Sequence, residues 1–438
     1  MTTTPDTTWE NWAQTATDPL NAMGKPEALD GVVVMDLSRG NIGGMVCSSI
    51  LSEFGAEVIR LESPEGDPAR GFTPYGQMHE GVGLGYLVEA RNKHHITLRL
   101  ESSEGQSIFR RLVRHADIVI ETFAPGVLDS WGLAYAQLRQ LNPRLIWAAQ
   151  STYGHFGPRA STPIADYDIT DQALSGLTYF NGERVDPEQP HPCQVPTKAG
   201  SWLAWYVGGV WSAFGVLAAL LFRNASGEGQ LVDVSPPEGL ARFLDFNLTW
   251  YHAAGQIRER IGSLDATVFP YTFVRCKDGY TFLAGFSDTS FARLAHIMGR
   301  PELAVDPRFD SVAKRTTLET AAELMVELEA WTARFTAEEI LNQVQRDPGT
   351  APVVTGRVNT PLETFQEENW WVRGALQRVD DPMYGEVVVQ GPPWKMSETP
   401  PRIKWLCRPV GHDNERIYLQ YLGLGTSQLH DLRARGII

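Results

Sequence analysis

The densest group of chemically competent side chains is DYDITDQALSG (166–176), which sets Asp166, Asp168 and Asp171 within one short stretch. Asp168 and Asp171 are three apart and would share a helical face. A carboxylate in such a place can serve as nucleophile or base. Acidic residues ahead of an apolar helix also cap it and favour its dipole, and both readings stand at this point. A second group, Arg91-Asn92-Lys93-His94-His95, precedes a strand-like run. It suits either an anionic ligand or a solvated start of the strand. A third, DLSRGNIGGM (36–45), joins a strand-like run to a helix-like one. A helix N-terminus reached through glycines offers oriented N–H groups to an anion, or simply lets the helix start close to the strand. The turn lacks GxGxxG spacing, and neither HExxH nor GxSxG occurs. No metal site is expected, since His191-Pro-Cys193 is the only local His/Cys pair.

These groups need a scaffold, and the chain is long enough for one. It has 438 residues, 43% of them hydrophobic and 21% charged, as in a globular protein of two or three domains. Lys and Arg number 38 against 52 Asp and Glu, a net charge of −14, so a nucleic-acid footprint is absent. Any anionic ligand must be held by a local cluster. Cys47, Cys193, Cys276 and Cys407 lie far apart, which fits a reduced, cytoplasmic setting without a disulfide framework. The polar start, MTTTPDTTWENW, reads as a frayed tail and not a signal peptide. Trp202–Phe222 carries no charge and is long enough to span a bilayer. Its interspersed Gly208, Gly209 and Gly215 and the lack of basic flanks make it a buried core helix instead, so no membrane partner is expected.

From GVVVMDLS (31–38) to RLIWAAQ (144–150), apolar β-branched runs alternate with helical spacing. That alternation predicts parallel βαβ units in a doubly wound sheet, with apolar strands because both faces are covered. VFPYTFVRC and GYTFLAGF are joined at Lys277-Asp278-Gly279 as a hairpin and open a smaller α+β region with three amphipathic helices. The expected organisation is a tail over 1–27 and a large Rossmann-like α/β domain over 28–250. A small α+β domain over 251–350 follows, and a segment over 351–438 returns to complete the large domain.

Taken in order, GVVVMDLSRGNIGG, LSEFGAEVIRLESPEGDPAR, RNKHHITLRL, IETFAPGVLDSWGL, NPRLIWAAQSTYGHFGP, YDITDQALSG, GVLAALLFRNASGEGQLVDVS and PYTFVRCKDGYTFLAG resemble the family III (CaiB/BaiF-type) CoA-transferases. The resemblance covers residue 28 to the C-terminus. It implies a large doubly wound domain with a small domain inserted, and two chains threaded as interlocked rings. It also implies an acyl-CoA thioester as substrate, with no permanently bound cofactor. In that family an aspartate attacks the thioester to form a mixed anhydride. The released CoA thiolate then takes the aspartyl group as an enzyme thioester, and an acceptor carboxylate repeats the exchange. The residues that match the family's CoA contacts are Asn41, Ile42, Leu98, Phe123 and Tyr153, with Lys93 from the basic patch added as a candidate.

The resemblance breaks at one position. The family aspartate stands four residues before the glycine that is Gly209 here, and that position is Trp205. An indole has neither a nucleophilic lone pair nor a useful pKa. The racemase relatives need the same aspartate and a histidine where Tyr167 stands. Ser130, Ser151 and Glu101 occupy positions that are often basic in the family, and RIGSLDAT (260–267) replaces its glycine-rich loop. The expectation is therefore a non-catalytic subunit of a heteromeric CoA-transferase. Its partner is a paralogous subunit carrying the aspartate, as in succinyl-CoA:benzylsuccinate CoA-transferase of aromatic acid degradation. Trp202, Trp205, Tyr206 and Trp211 suit either a bulky aryl acid or core packing. Two alternatives remain: an active homodimer using Asp168 or Asp166, and a CoA-binding or structural module without transfer activity.

Overall fold

The computed structural model describes residues 9–162, 166–184 and 194–438; His191-Pro-Cys193 and residues 1–8 of the expected tail lie outside them. Six short apolar runs become strands: β1 (Val33–Asp36), β2 (Glu57–Glu62), β3 (Lys93–Thr97), β4 (Ile118–Glu121), β5 (Ile146–Gln150) and β6 (Leu231–Val234). They pair in the order β3-β2-β1-β4-β5-β6, every pair parallel. Parallel pairing needs crossovers, and the helical segments between the strands supply them. The expected α/β fold with its large doubly wound sheet is what forms.

Alternate strand residues feed two cores. Val34, Val58 and Ile118 face α2 (Ile42–Glu53), while Met35, Ile59 and Val119 face α3 (Ser103–Leu112) and the closing helices around Tyr418 and Leu432. Two further helices complete the site region: α4 (Asp168–Leu174) and α5 (Leu203–Ser226). The apolar stretch is thus one helix, long and apolar enough to cross a membrane by length and composition alone. Its glycine face packs on α2. A Cβ at Gly209 would come within 2.5 Å of the Gly43 carbonyl oxygen and 2.6 Å of Val46 Cβ. Gly209→Ala should therefore cost roughly 1–3 kcal/mol of stability, measured by denaturant unfolding, because both neighbours belong to packed helices.

The segment read as a frayed tail contains a helix, Trp9–Thr17. Lys25 Nζ ties it down by donating to the carbonyl oxygens of Ala16 and Ser397, each at 2.7 Å. Contacts gather the chain into two units. One takes the described residues up to Leu177 with Ala199–Asp245 and Glu367–Ile438; the other takes Phe246–Gln366 and the described part of Thr178–Lys198. In the second unit β7 (Tyr271–Cys276) and β8 (Gly279–Ala284) form the hairpin, with Gly279 at φ 140° in the turn. Strand β9 (Val354–Arg357), placed in the return segment by sequence, pairs antiparallel with β8 instead. Hydrogen bonding to an existing edge strand decides its membership, which local spacing does not reveal.

Candidate functional site

In an open parallel sheet, ligands bind beyond the carboxyl ends of the strands where the strand order reverses. Here the order reverses between β1 and β4. The loops leaving those strands, SRGN and TFAP, line a cleft of about 470 Å³ with residues following β5 and with Asp166. Asn41, Phe123, Tyr153 and Asp166 are thus brought together in one cleft. Leu98 lines an adjoining recess that shares Arg39 and Phe123 with the cleft. Arg39 was missed. Among the described residues it is the only Lys or Arg lining either space, and Glu101 pairs with it at 3.0 Å. Its place directly after β1 was the available clue.

A buried ionic network holds the first turn. Arg60 bridges Asp36 (2.7 Å) and Asp67, with all three side chains almost wholly out of solvent. Asp67 in turn accepts the Gly40 N–H at 3.0 Å, and Gly40 takes a positive φ of 63° that suits glycine. Asn41 then caps α2, its Oδ1 accepting from the Gly43 N–H at 2.6 Å, while its Nδ2 donates to Asp166 at 2.8 Å. Second-rank residues of the network therefore decide where Arg39 and Asn41 stand.

Two expected contacts lie elsewhere. Ile42 is fully buried in the core, because it is the first residue of α2 on the side facing the sheet. Lys93 is likewise fully buried: its Nζ donates to the carbonyl oxygens of Met45 (2.9 Å) and Glu89 (2.6 Å) and lies 3.6 Å from Asp36. Burial pushes its pKa down to about 8. The basic patch as a whole turns inward. Arg91 meets Glu53 and Glu89, and His95, its pKa lowered by burial, meets Glu62 at 2.8 Å, so these polar groups enter the core with partners.

The three aspartates divide. Asp168 is buried and caps a helix distant in sequence: its Oδ1 accepts from the N–H groups of Ala204 (2.8 Å) and Trp205 (3.3 Å) at the start of α5. Its Oδ2 accepts from Gln172 at 2.6 Å. Capping of an apolar helix was the right physics, applied to the wrong helix. Asp166 alone of the three faces the cleft. Asp171 lies behind it with no exposed surface. Burial, and then the charge of Asp166, push Asp171 up to about 9; burial also raises Asp166. Two carboxyls so placed resist ionising together, which favours the protonated form of Asp171.

Trp205 is 3% exposed and stacks on Phe72 with ring centroids 5.9 Å apart and planes 12° from parallel. Trp202 packs on both rings, Tyr206 donates to Glu89 at 2.9 Å, and Trp211 lies against Phe214 and Phe243. None of the four lines the cleft. Ser151 does, whereas Ser130 is exposed and donates to the Val127 carbonyl oxygen at 2.6 Å. In the second unit, RIGSLDAT is held by Asp265, whose Oδ1 accepts the Thr267 N–H at 2.7 Å. Among the described residues no group of three His, Cys, Asp or Glu could hold a metal ion.

Known proteins resemble this chain over most of its length. The succinyl-CoA–D-citramalate CoA-transferase of Chloroflexus aurantiacus is 36% identical over 94% of this chain and 98% of its own length. The alpha subunit of succinyl-CoA–L-malate CoA-transferase from the same organism is 33% identical over 97% of this chain and 96% of its own. A crystal structure of a CaiB/BaiF family protein from Brucella suis superposes with a TM-score of 0.77 at 29% identity, covering 90% of this chain and 99% of that one. The sequence model of CoA-transferase family III matches residues 29–414, and the chain belongs to that family.

Proposed function

We propose that this chain is the subunit of a heteromeric CoA-transferase that has lost the transfer aspartate. Acyl exchange would then run on a paralogous partner carrying Asp at the position of Trp205. The observation that carries the reading is the buried indole of Trp205, locked between Phe72 and Trp202 where the family's nucleophile stands. Asp168 cannot substitute, since both of its oxygens accept hydrogen bonds inside the fold. A relative that is itself named as an alpha subunit supports assembly from unlike chains. The apolar stripe of Val210, Phe214, Leu221 and Phe222, exposed on α5, suits burial in an interlocked dimer.

The proposed donor is succinyl-CoA or a thioester like it, and the acceptor a dicarboxylic acid. Benzylsuccinate belongs to that class, and Phe123, Tyr153 and Tyr167 among the cleft-lining residues are aromatic. Among the described residues the buried free thiols Cys47, Cys276 and Cys407 suit a cytoplasmic setting. A second reading rests on Asp166, which alone faces the cleft and is held there by Asn41. In it, an active homodimer transfers through Asp166.

The experiment is CoA exchange between succinyl-CoA and a panel of succinate, malate, citramalate and benzylsuccinate. The chain is assayed alone and after mixing with a paralogue that bears the aspartate. The expected result is no turnover alone and turnover on mixing, unchanged by Asp166→Asn in this chain. Turnover by the chain alone, lost in Asp166→Asn, would overturn the proposal in favour of the second reading.

A further inference from the structure

Phe123 and Ala124, which line the cleft, also line a second pocket of about 240 Å³. Its floor is Glu121, the last residue of β4, which is 1% exposed. Glu121 Oε2 accepts the Phe123 N–H at 2.7 Å, and Oε1 lies 3.5 Å from His155 Nε2. Two buried polar atoms of its lining residues have no hydrogen-bond partner among the described residues: Tyr135 Oη and His155 Nε2. Native interiors seldom leave such atoms unpaired, because each costs about 1–3 kcal/mol. The remaining wall is apolar and aromatic, with Trp147 beside Tyr135 at a centroid distance of 6.4 Å.

The charges lining the pocket have one sign, and Arg139 outside it lies over the Tyr135 ring at 5.6 Å. Glu121 and Asp129 line the pocket, Asp233 stands behind His155 and accepts its backbone N–H at 2.9 Å, and no Lys or Arg lines it. We propose that this pocket binds a primary ammonium carried on a small apolar body. Three N–H donors meet three acceptors in His155 Nε2, Tyr135 Oη and the Glu121 carboxylate, while Trp147 and Leu231 receive the body. The protonation states agree. Burial outweighs the hydrogen bonds from Phe123 and Trp147 and, with Asp233 and Asp129, pushes Glu121 up to about 8, and burial lowers His155, which favours a neutral imidazole that can accept. A bound cation favours the ionised Glu121 and expels its proton.

The test is calorimetric titration of the full chain at pH 7 with benzylammonium, and with benzyl alcohol and benzoate as neutral and anionic comparators. Benzylammonium should bind at least about tenfold tighter than benzyl alcohol, benzoate should give no binding, and Glu121→Gln and Tyr135→Phe should each weaken the amine roughly tenfold. The heat should also vary with buffer ionisation enthalpy, reporting proton release. Equal binding of amine and alcohol overturns the proposal without need of any variant. So does unchanged amine affinity in both variants when their unfolding midpoints match the parent's. The reading stands apart from acyl transfer, since no step of the titration requires turnover.

Discussion

Replacing Arg60 by Met should lower the stability of the large unit by about 3–5 kcal/mol, the usual result of removing one partner from a buried ion pair. The magnitude follows from what is left behind. Arg60 spans Asp36 and Asp67, with side-chain exposures of 0% for Arg60 and 0% and 2% for the two acids. Burial alone raises Asp36, yet Arg60 and then Lys93 outweigh it and hold its carboxyl below the usual range. Without the guanidinium, Asp36 keeps Ser38, Ser48 and a lysine 3.6 Å away, and Asp67 keeps only backbone N–H groups. Arg60→Lys should recover part of the loss, since it restores charge without the fork that reaches both acids. Denaturant unfolding followed by fluorescence measures both variants. A Met variant within 1 kcal/mol of the parent would show that the network contributes little. The same pair contributes to the acid sensitivity of the fold. A depressed carboxyl stabilises above its unfolded value near 3.9, and that stability is lost as pH falls through the lower folded value. Because Asp67 also fixes Gly40, Arg60→Met should loosen the turn that presents Arg39 and Asn41.

Some of this architecture was open to reading and some was not, for identifiable reasons. The doubly wound sheet was legible because each strand is a compact apolar run and each crossover has helical spacing, both local properties. The absent nucleophile was legible because Trp205 stands at a fixed offset from Gly209. Pairing between distant segments left no local trace. Asp168 looks like a cap for the helix it begins, yet it caps another by accepting the N–H of Ala204, 36 residues later. Lys93 looks like a surface cation, but it is charged inside a core that supplies Asp36 and two carbonyl oxygens. Strand β9 joins the hairpin only through its long-range partner β8. In each case the deciding interaction joins residues that sequence spacing keeps far apart.

Asp171→Asn should stabilise the protein, and by an amount that grows with pH. Asp171 is held up to about 9 by burial and by Asp166, against 3.8 for the free side chain. A raised carboxyl means that the folded state binds the extra proton between those values. Stability therefore declines as pH rises from about 4 to about 9, and the decline is complete above both pKa values. Asparagine has the shape of the protonated acid, can donate its N–H₂ to Asp166 as the acid's O–H does, and has no proton to lose on unfolding. The variant should match the parent near pH 4 and exceed it by about 1–3 kcal/mol at pH 8, discounting the full linkage value of about 1.4 kcal/mol per pKa unit for coupling with Asp166. Glu121, at about 8, and Glu53, at about 7, contribute declines of the same sign that the substitution leaves in place. The variant's curve should therefore be shallower than the parent's without becoming flat. Urea unfolding at pH 4, 6 and 8 reads the difference directly. A stability gap that does not widen with pH would show that Asp171 is already ionised beside Asp166. Both carboxylates would then be charged, one lining the cleft and one behind it, and Asp166 would be repelled toward any ligand bound there.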